Sequence, residues 1–212
     1  MVKLDILSDP ICPWCYIGKA NLARALDARP AHPFQIEWHP FQLNPDTPPE
    51  GYDREAYLAA RIGDPERLAA MNASLREAAR AAGLDFDPAK AKRIPNTLDA
   101  HRLIHWAGLE GLQDAAVSAL FEANFVHGHD ISDHDVLVDI ARAIGMDPEV
   151  ARRLLASDAD ADDIRARDAH SRSRGVTGVP TFIIDHRQAV SGAQPTHLWE
   201  QIIDAILAEQ DE

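Results

Sequence analysis

The chain has 212 residues, of which 46% are hydrophobic and 26% are charged. This composition is typical of a globular protein with a buried core and excludes an intrinsically disordered chain. The formal net charge of -13, from 21 basic and 34 acidic residues, repels nucleic acids and anionic membrane surfaces. We therefore expect no nucleic acid and no membrane among the partners.

The N-terminal segment MVKLDILSD lacks the long apolar region and the small-residue cleavage site of a secretory signal. No apolar stretch approaches the ~20 residues that a membrane-spanning helix needs. The sequence therefore favours a cytoplasmic protein. In a reducing cytosol, a pair of cysteines is rarely a structural disulfide.

The start of the chain predicts a strand, a helix and a second strand. Apolar residues at 2–7 indicate a short strand, which the breaker sequence at 8–10 ends. A helix is predicted from Trp14 to about Asp27. The second strand is predicted at 34–38, before a stretch too rich in proline to continue a sheet.

From about residue 52 to residue 174 the sequence has few strand-forming patterns and many residues typical of helix starts and ends. Three Asp-Pro pairs place a capping carboxylate before a proline suited to the first helical turn. These pairs are Asp64-Pro65, Asp87-Pro88 and Asp147-Pro148. Ser132 followed by Asp135 resembles a capping box. This long segment is therefore predicted to be helical.

Strand signals return at the end of the chain, where TFIID and QAVSG predict a hairpin before a closing amphipathic helix. Because a two-stranded piece is only marginally stable alone, the two ends of the chain are expected to share one sheet. We therefore predict an α/β fold with a large all-helical insertion. Residues 1–48 and 175–212 form one discontinuous domain. Residues 49–174 form the insertion, whose last helix (158–174) packs on the sheet.

The two cysteines of the chain lie in the motif CPWC, directly after the first predicted strand. A thiol attacks as its thiolate, and the N–H groups at a helix N-terminus stabilise an anion. Cys12 precedes the predicted helix, so we expect an exposed nucleophile with a lowered pKa. Cys15 lies one turn further on, where it can form a disulfide with Cys12 or resolve a mixed disulfide. Pro13 donates no competing hydrogen bond, and Trp14 offers a flat apolar face beside the sulfur.

A static disulfide or half of a metal site is the alternative interpretation of the cysteine pair. A structural zinc site needs four ligands. The histidine pairs His127/His129 and His101/His105 are close in sequence, but helix-face histidines are more often solvated or hydrogen-bonded. Redox chemistry is therefore favoured. No metal is expected, and no cofactor other than the redox-active disulfide itself.

The stretch GVTGVPTF (175–182) places Pro180 immediately before a predicted strand, after two glycines and the β-branched Val179. Such a proline is either a cis-proline or an ordinary trans-proline at a strand start. Base rates alone favour the trans form. The pairing with an N-terminal CPWC motif favours the cis form.

CPWCYIG followed by GVPTF resembles the DsbA-like branch of the thioredoxin-fold superfamily, in particular the FrnE-like proteins. Four further stretches resemble the same family: WHPFQLNP (38–45), IPNTLDAHRL (94–103), LFEANFVHGHDISD (120–133) and VSGAQ (190–194). The resemblance implies a thioredoxin fold with an inserted helical domain. It also implies dithiol-disulfide exchange on protein thiols and disulfides or on small-molecule thiols.

By the same resemblance, Cys12 attacks, Cys15 resolves, Pro180 packs beside the disulfide, and the Val179 backbone pairs with an extended substrate. Some FrnE-like relatives carry a second cysteine pair near the C-terminus. This chain has only one pair, so its regeneration requires an external thiol or another protein. The direction of net electron flow stays open, and a monomer and a homodimer are both compatible with the sequence.

Kappa-class glutathione transferases and 2-hydroxychromene-2-carboxylate isomerases share this inserted architecture and set the rival hypothesis. They bind glutathione and typically have a serine at the position of Cys12. Glutathione is therefore a candidate co-substrate, with Phe41, Asn96, Ser191 and Gln194 as candidate contacts. Capping of the next helix explains Asn96 equally well, and a strand end explains Ser191 and Gln194.

Two other questions stay open. The helical insertion could hold unfolded chains as a chaperone does, with the cysteines incidental. Asp5 and Asp9 lie near the cysteines, and one of them is a candidate proton acceptor for Cys15. Asp9 could equally cap the turn before Pro10.

Overall fold

The computed structural model describes residues 1–210. In chain order the elements are β1 (Val2–Ser8), α1 (Pro13–Ala28), β2 (Phe34–Pro40), β3 (Tyr52–Asp53), α2 (Arg54–Ile62), α3 (Pro65–Ala81), β4 (Arg93–Ile94), α4 (Leu98–Leu109), α5 (Gln113–Phe121), a π-helical segment (Glu122–His127), α6 (His134–Ile144), α7 (Pro148–Leu155), α8 (Ala161–Ser173), β5 (Thr181–Ile184), β6 (Gln188–Ser191) and α9 (Thr196–Gln210). Within the described residues, no helix combines the length and the apolar character needed to cross a membrane.

The main sheet has four strands in the order β2-β1-β5-β6. Strand β1 runs parallel to β2 and antiparallel to β5, and β5 pairs antiparallel with β6. Two strands come from each end of the chain. The intervening residues form the helical insertion, so the predicted α/β architecture is confirmed.

One face of the sheet packs against α9. Leu4 stands in register with Ile184, and Ile6 with Phe182, so these side chains share a face. The ring of Trp199 on α9 meets Phe182 edge-on, with ring centroids 4.6 Å apart. All five side chains are buried. This apolar layer holds β1 in place, and the CPWC motif follows the carboxyl end of that strand.

The edge of the sheet at β2 is covered by side chains from the insertion. The side chain of Gln113 accepts the N–H of Trp38 at 2.9 Å and donates to the Trp38 carbonyl at 3.1 Å. It therefore satisfies backbone groups that a neighbouring strand would otherwise pair. The helix predicted at 158–174 is α8. Its Asp168 carboxylate accepts the N–H of Gln42 at 2.8 Å, just beyond β2.

Aromatic rings join the insertion to α1, the helix that carries the cysteines. Tyr16 stacks on Phe121 with centroids 5.1 Å apart, and on Phe125 at 5.9 Å. Phe86 lies 5.6 Å from Tyr16 and 5.1 Å from Phe125. Aromatic pairs at such distances add stability beyond the area they bury. The insertion is thus fixed against the active-site helix.

Some local predictions for the insertion are confirmed and others are wrong. Asp64 and Asp147 cap α3 and α7 as expected. Asp87 begins no helix; it accepts the N–H of Ala89 in a turn, because buried side chains on either side hold this segment against the core. The cap of α6 is Asp133, one residue after the predicted Ser132. The insertion is also not purely helical, since β3 pairs with β4.

Candidate active site

Cys12 is the N-cap residue of α1. Its backbone is extended (φ -86, ψ 110), Pro13 takes the first helical position, and no side chain caps the helix. The N–H of Cys15 donates to the Cys12 carbonyl at 3.0 Å. The first turn of α1 contains no acidic residue. The free N–H groups and the dipole of α1 therefore favour a negative charge at the Cys12 sulfur.

Cys12 is buried, which corrects the expectation of an exposed nucleophile. Its exposed fraction is only 4%. The loop before β5 covers it: the Cys12 thiol donates to the Val179 carbonyl at 3.6 Å, and the peptide bond between Val179 and Pro180 is cis. This cover comes from residues far along the chain, so local sequence does not reveal it.

Cys15 is more deeply buried, with 1% of its surface exposed, and both cysteines are free thiols. Burial is the main cause that raises the pKa of Cys15 well above its usual range, and the neighbouring Cys12 sulfur adds to the rise. The Ser8 hydroxyl and the Asp9 backbone N–H act in the opposite direction. Cys15 is therefore a protonated thiol near neutrality and must lose a proton before it can attack.

Asp9 is completely buried next to the motif. Its carboxylate accepts the N–H of Leu43 at 2.7 Å and that of Ile11 at 3.4 Å. Burial raises the pKa of Asp9 from 3.8 to about 7, although these two donors favour the ionised form. The carboxyl group thus ties the CPWC loop to the loop after β2, and it titrates near neutral pH.

His101 on α4 faces Asp9, with Nε2 3.8 Å from the Asp9 carboxylate. Burial lowers the pKa of His101 to about 4; Asp168 opposes the shift and Arg167 adds to it. Between about pH 4 and about pH 7, His101 is neutral and Asp9 is protonated. The contact is then not an ion pair, and Nε2 has no hydrogen-bond partner among residues 1–210.

The other residues of the motif differ in exposure. Pro13 is partly buried, whereas the Trp14 side chain is 41% exposed.

Gly18, one turn after Cys15, is a site residue that sequence reasoning missed. A Cβ on Gly18 would lie 3.2 Å from Pro180 Cγ, so only glycine allows this close approach without displacement. The C-x-x-C-x-x-G spacing was the available signal.

The structure places the candidate glutathione contacts differently from one another. Phe41 is 1% exposed, and the Arg172 guanidinium covers its ring at 4.1 Å. The ring therefore has a packing role and is closed to a ligand in this conformation. Asn96 accepts the N–H of Leu98 at 2.9 Å, which is the capping role, and donates to Thr47.

Ser191 and Gln194 lie nearer the cis-proline. Ser191 is exposed and ends β6. The Gln194 side chain donates to the Ser191 carbonyl at 2.7 Å. Ser191 shares a groove with Val179 and Pro180, whereas Phe41 and Asn96 do not.

Two depressions flank Cys12. On one side the groove of about 440 Å³ runs along Thr177, Val179, Pro180 and Ser191. On the other side a cavity of about 340 Å³ lies between the CPWC loop and the insertion, and Ile11, Pro13 and Trp14 form part of its wall. Cys12 lies between them, since its neighbours in the chain line the cavity and its sulfur contacts the groove.

A separate acidic cluster lies on the sheet. Asp5, Glu37 and His39 hold potential ligand atoms within 4.8 Å of one another. The Lys3 ammonium already lies 3.0 Å from Glu37 and 3.3 Å from Asp5. The Arg167 guanidinium lies 3.8 Å from Glu37, so two cations of the protein itself offset the two carboxylates in an ion-pair network.

Comparison with known proteins places the chain in a family. The model of the DSBA-like thioredoxin domain matches residues 3–204. The uncharacterized protein YwbO of Bacillus subtilis (strain 168) is 26% identical over 203 residues, covering 95% of this chain and 96% of that protein. A probable DsbA oxidoreductase from Streptomyces coelicolor superimposes with a TM-score of 0.87 at 32% identity, covering 99% of this chain and 91% of the other.

A more distant structure has the same fold. A 2-hydroxychromene-2-carboxylate isomerase superimposes with a TM-score of 0.74 at 17% identity, covering 99% of this chain and 98% of the other. The family match spans nearly the whole chain and the first of these structures covers it almost entirely, so the predicted thioredoxin-like fold is confirmed. The chain belongs to the family of DsbA-like thioredoxin-domain proteins.

Proposed function

We propose that the protein is a thiol-disulfide oxidoreductase that exchanges its Cys12/Cys15 dithiol with disulfide substrates. The observation that carries the proposal is the position of Cys12 as the N-cap of α1, with its sulfur 3.6 Å from the carbonyl next to cis-Pro180. Cys15 lies one turn inward. A rival isomerase activity would not require the second thiol.

In the first step, the Cys12 thiolate attacks one sulfur of the substrate disulfide. The substrate S–S bond breaks, a mixed disulfide with Cys12 forms, and the leaving thiolate takes a proton. The helix N-terminus stabilises the attacking anion. Val179 lines the adjoining groove, and we propose that an extended substrate pairs with its backbone there.

In the second step, the Cys15 thiol loses its proton and attacks the Cys12 sulfur. This releases the second substrate thiol and leaves a Cys12–Cys15 disulfide, so the substrate is reduced and the protein is oxidised by two electrons. Burial holds the proton on Cys15, so this step needs a nearby base. Asp9, buried just before the CPWC motif with a pKa of about 7, is our candidate for that base.

We propose protein disulfides or small disulfides as substrates and glutathione as the reductant that regenerates the dithiol in the cytoplasm. The groove along Val179 and Ser191 is the candidate place for glutathione, since it adjoins the Cys12 sulfur. Ser191 is exposed there and Gln194 lies next to it. Phe41 is closed off and is no longer proposed as a contact.

The test is reduction of insulin and of glutathione disulfide by the purified protein, comparing wild type with Cys12→Ser and Cys15→Ser. We expect Cys12→Ser to abolish both activities. Cys15→Ser should still attack once and then accumulate as a mixed disulfide that mass spectrometry detects. The two variants control for each other, because both remove one buried sulfur.

Unchanged turnover in Cys12→Ser would overturn the proposal. Glutathione-saturable turnover of a small aromatic substrate that survives in Cys15→Ser would favour the isomerase hypothesis instead. Suppression of aggregation by a variant without either cysteine, in the absence of any exchange activity, would favour the chaperone hypothesis.

A further inference from the structure

The cavity of about 340 Å³ beside the CPWC motif has a mainly apolar wall built from both parts of the chain. Pro13 and Trp14 contribute from the motif, Leu58 from α2, and Leu75 from α3. Its volume lies within the range of small-molecule sites, roughly 300–1,000 Å³. An apolar group of about the size of one aromatic ring and its substituents fits such a space.

Arg54 in the cavity wall has no partner. It is half-buried, and its guanidinium forms no hydrogen bond or ion pair with any described residue. Burial lowers the pKa of Arg54, with only the attraction of Asp87 opposing the shift. The other arginine of the wall, Arg93, is paired with Asp130 at 3.4 Å. The chain has a net charge of -13, so an unpaired cation is unusual in it. Because this cation is also partly desolvated, an anionic ligand should bind favourably next to it.

Asn124 provides a second, independent observation. Its side chain is 97% buried, since only 3% is exposed, and it lines the same cavity. A carboxamide both donates and accepts hydrogen bonds, so Asn124 can bind a polar group of a ligand in the cavity. Asn124 also lies in the π-helical segment, a conformation found frequently at functional sites.

Helix α2 closes the cavity without being anchored in the core. None of its residues is buried, and Leu58 and Ile62 turn toward the cavity. An apolar helix face that covers only an empty space gains little from burial. A ligand in the cavity would complete the packing of this face.

We propose that this cavity binds one half of a small disulfide substrate, an apolar group that carries a carboxylate, with Arg54 pairing with the carboxylate and Asn124 hydrogen-bonding to the ligand. The proposal rests on the proposed exchange reaction and adds the substrate class. The Cys12 thiolate attacks the bound substrate disulfide, whose S–S bond breaks. Cys15 then displaces the second half, so two substrate thiols leave with the two protons that the cysteines gave up.

The test uses two matched probes, para-carboxybenzyl disulfide and its neutral analogue para-carbamoylbenzyl disulfide. In both, the ring separates the sulfur from the polar group, so the leaving thiols have similar basicity. The readout is the second-order rate at which each probe oxidises the reduced protein. We expect a preference of about ten-fold for the carboxylate, as for a charge-assisted hydrogen bond in a partly buried site.

Arg54→Gln should abolish this preference by slowing the carboxylate probe alone, whereas Asn124→Ala should slow both probes several-fold. Arg67→Gln is the matched control. It removes an exposed arginine of α3 that does not line the cavity, and it should keep the preference. Circular dichroism and urea unfolding confirm that the variants are folded.

Binding of the same probes to Cys12→Ser, measured by calorimetry, separates this inference from the proposed function. Equal rates and equal binding of the two probes in wild type, or a preference that persists in Arg54→Gln, would overturn the cavity assignment while exchange itself stands. Selective binding of the carboxylate probe without any oxidation of the wild-type dithiol would instead overturn the proposed function. The cavity would then still be assigned to apolar ligands that carry a carboxylate.

Discussion

Replacing Asp9 with asparagine should remove a pH-dependent cost from the folded state. Asp9 is completely buried, and its pKa rises from 3.8 to about 7 on folding. The folded protein therefore binds more protons than the unfolded chain between about pH 4 and about pH 7. The free energy of unfolding consequently falls as the pH rises through this window. At about 1.4 kcal/mol per pKa unit, the full loss is about 4 kcal/mol.

His101 has the opposite effect over nearly the same range. Its pKa falls from 6.5 to about 4 on folding, so the unfolded chain binds more protons between these values. The contribution of His101 to the free energy of unfolding therefore rises with pH, by about 3 kcal/mol in total. The two slopes nearly cancel in the wild type from about pH 4 to about pH 6.5. Removing one group exposes the slope of the other.

The geometry suits asparagine at position 9. Its oxygen can accept the Leu43 N–H, now at 2.7 Å, and its nitrogen can point toward the unpaired Nε2 of His101. The substitution loses the weak 3.4 Å bond from Ile11 and weakens the interaction with the Thr97 side chain. We expect Asp9→Asn to be more stable than wild type at pH 8 by about 2–4 kcal/mol. Near pH 5 the two proteins should be similar.

The assay is urea unfolding of the reduced protein, followed by tryptophan fluorescence from about pH 4 to about pH 8. His101→Gln is the matched variant, and its stability should fall over the range in which that of Asp9→Asn rises. Parallel curves for wild type and Asp9→Asn would refute the reasoning, because Asp9 would then ionise alike in both states. The same variant should also slow the release of the second thiol near neutrality if Asp9 accepts the Cys15 proton.

Gly18→Val should slow disulfide exchange, measured with glutathione disulfide, because its Cβ would lie 3.2 Å from Pro180 Cγ; the strain should also cost about 1–3 kcal/mol in urea unfolding. Arg102→Met should destabilise the protein by about 3 kcal/mol, since its buried guanidinium donates to three backbone carbonyls in the last turn of α7 and just after it. Gly51→Ala should destabilise more than Gly63→Ala, although both positions have positive φ, because a Cβ at 51 would lie 2.6 Å from a carbonyl oxygen and a Cβ at 63 has no atom within 4 Å. Thermal unfolding distinguishes this pair.

Elements with purely local causes were predictable from the sequence. The strand that leads into CPWC, the hairpin of β5 and β6, and the caps Asp64 and Asp147 each depend on side chains within a few residues of the backbone they order. Local chemistry also suggested a cap at Asp87. That prediction was wrong because the same side chain suits a turn, and the burial of the flanking segment decided between the two.

Features that depend on distant contacts were not predictable. Arg102 looks like an ordinary helix residue in sequence, yet its three backbone partners lie more than fifty positions away. The burial of Cys12 depends on Val179, 167 positions later. In the sequence Asn124 is only a polar residue between the apolar Phe121 and Phe125. Its place in a cavity wall follows from the packing of α2 and α3 around it.

The burial of Cys12 constrains how any substrate can reach it. Only 4% of the residue is exposed, and its neighbours line the cavity on one side and the groove of Val179 on the other. In the proposed complex, the two halves of a substrate disulfide lie in different surroundings, one in the apolar cavity with Arg54 and one in the groove that Val179 and Ser191 line. Contacts to separate regions contribute nearly additive free energies. A change to one half of the disulfide and a change to the other half should therefore act independently. The rate factor of the double change should be the product of the two single rate factors.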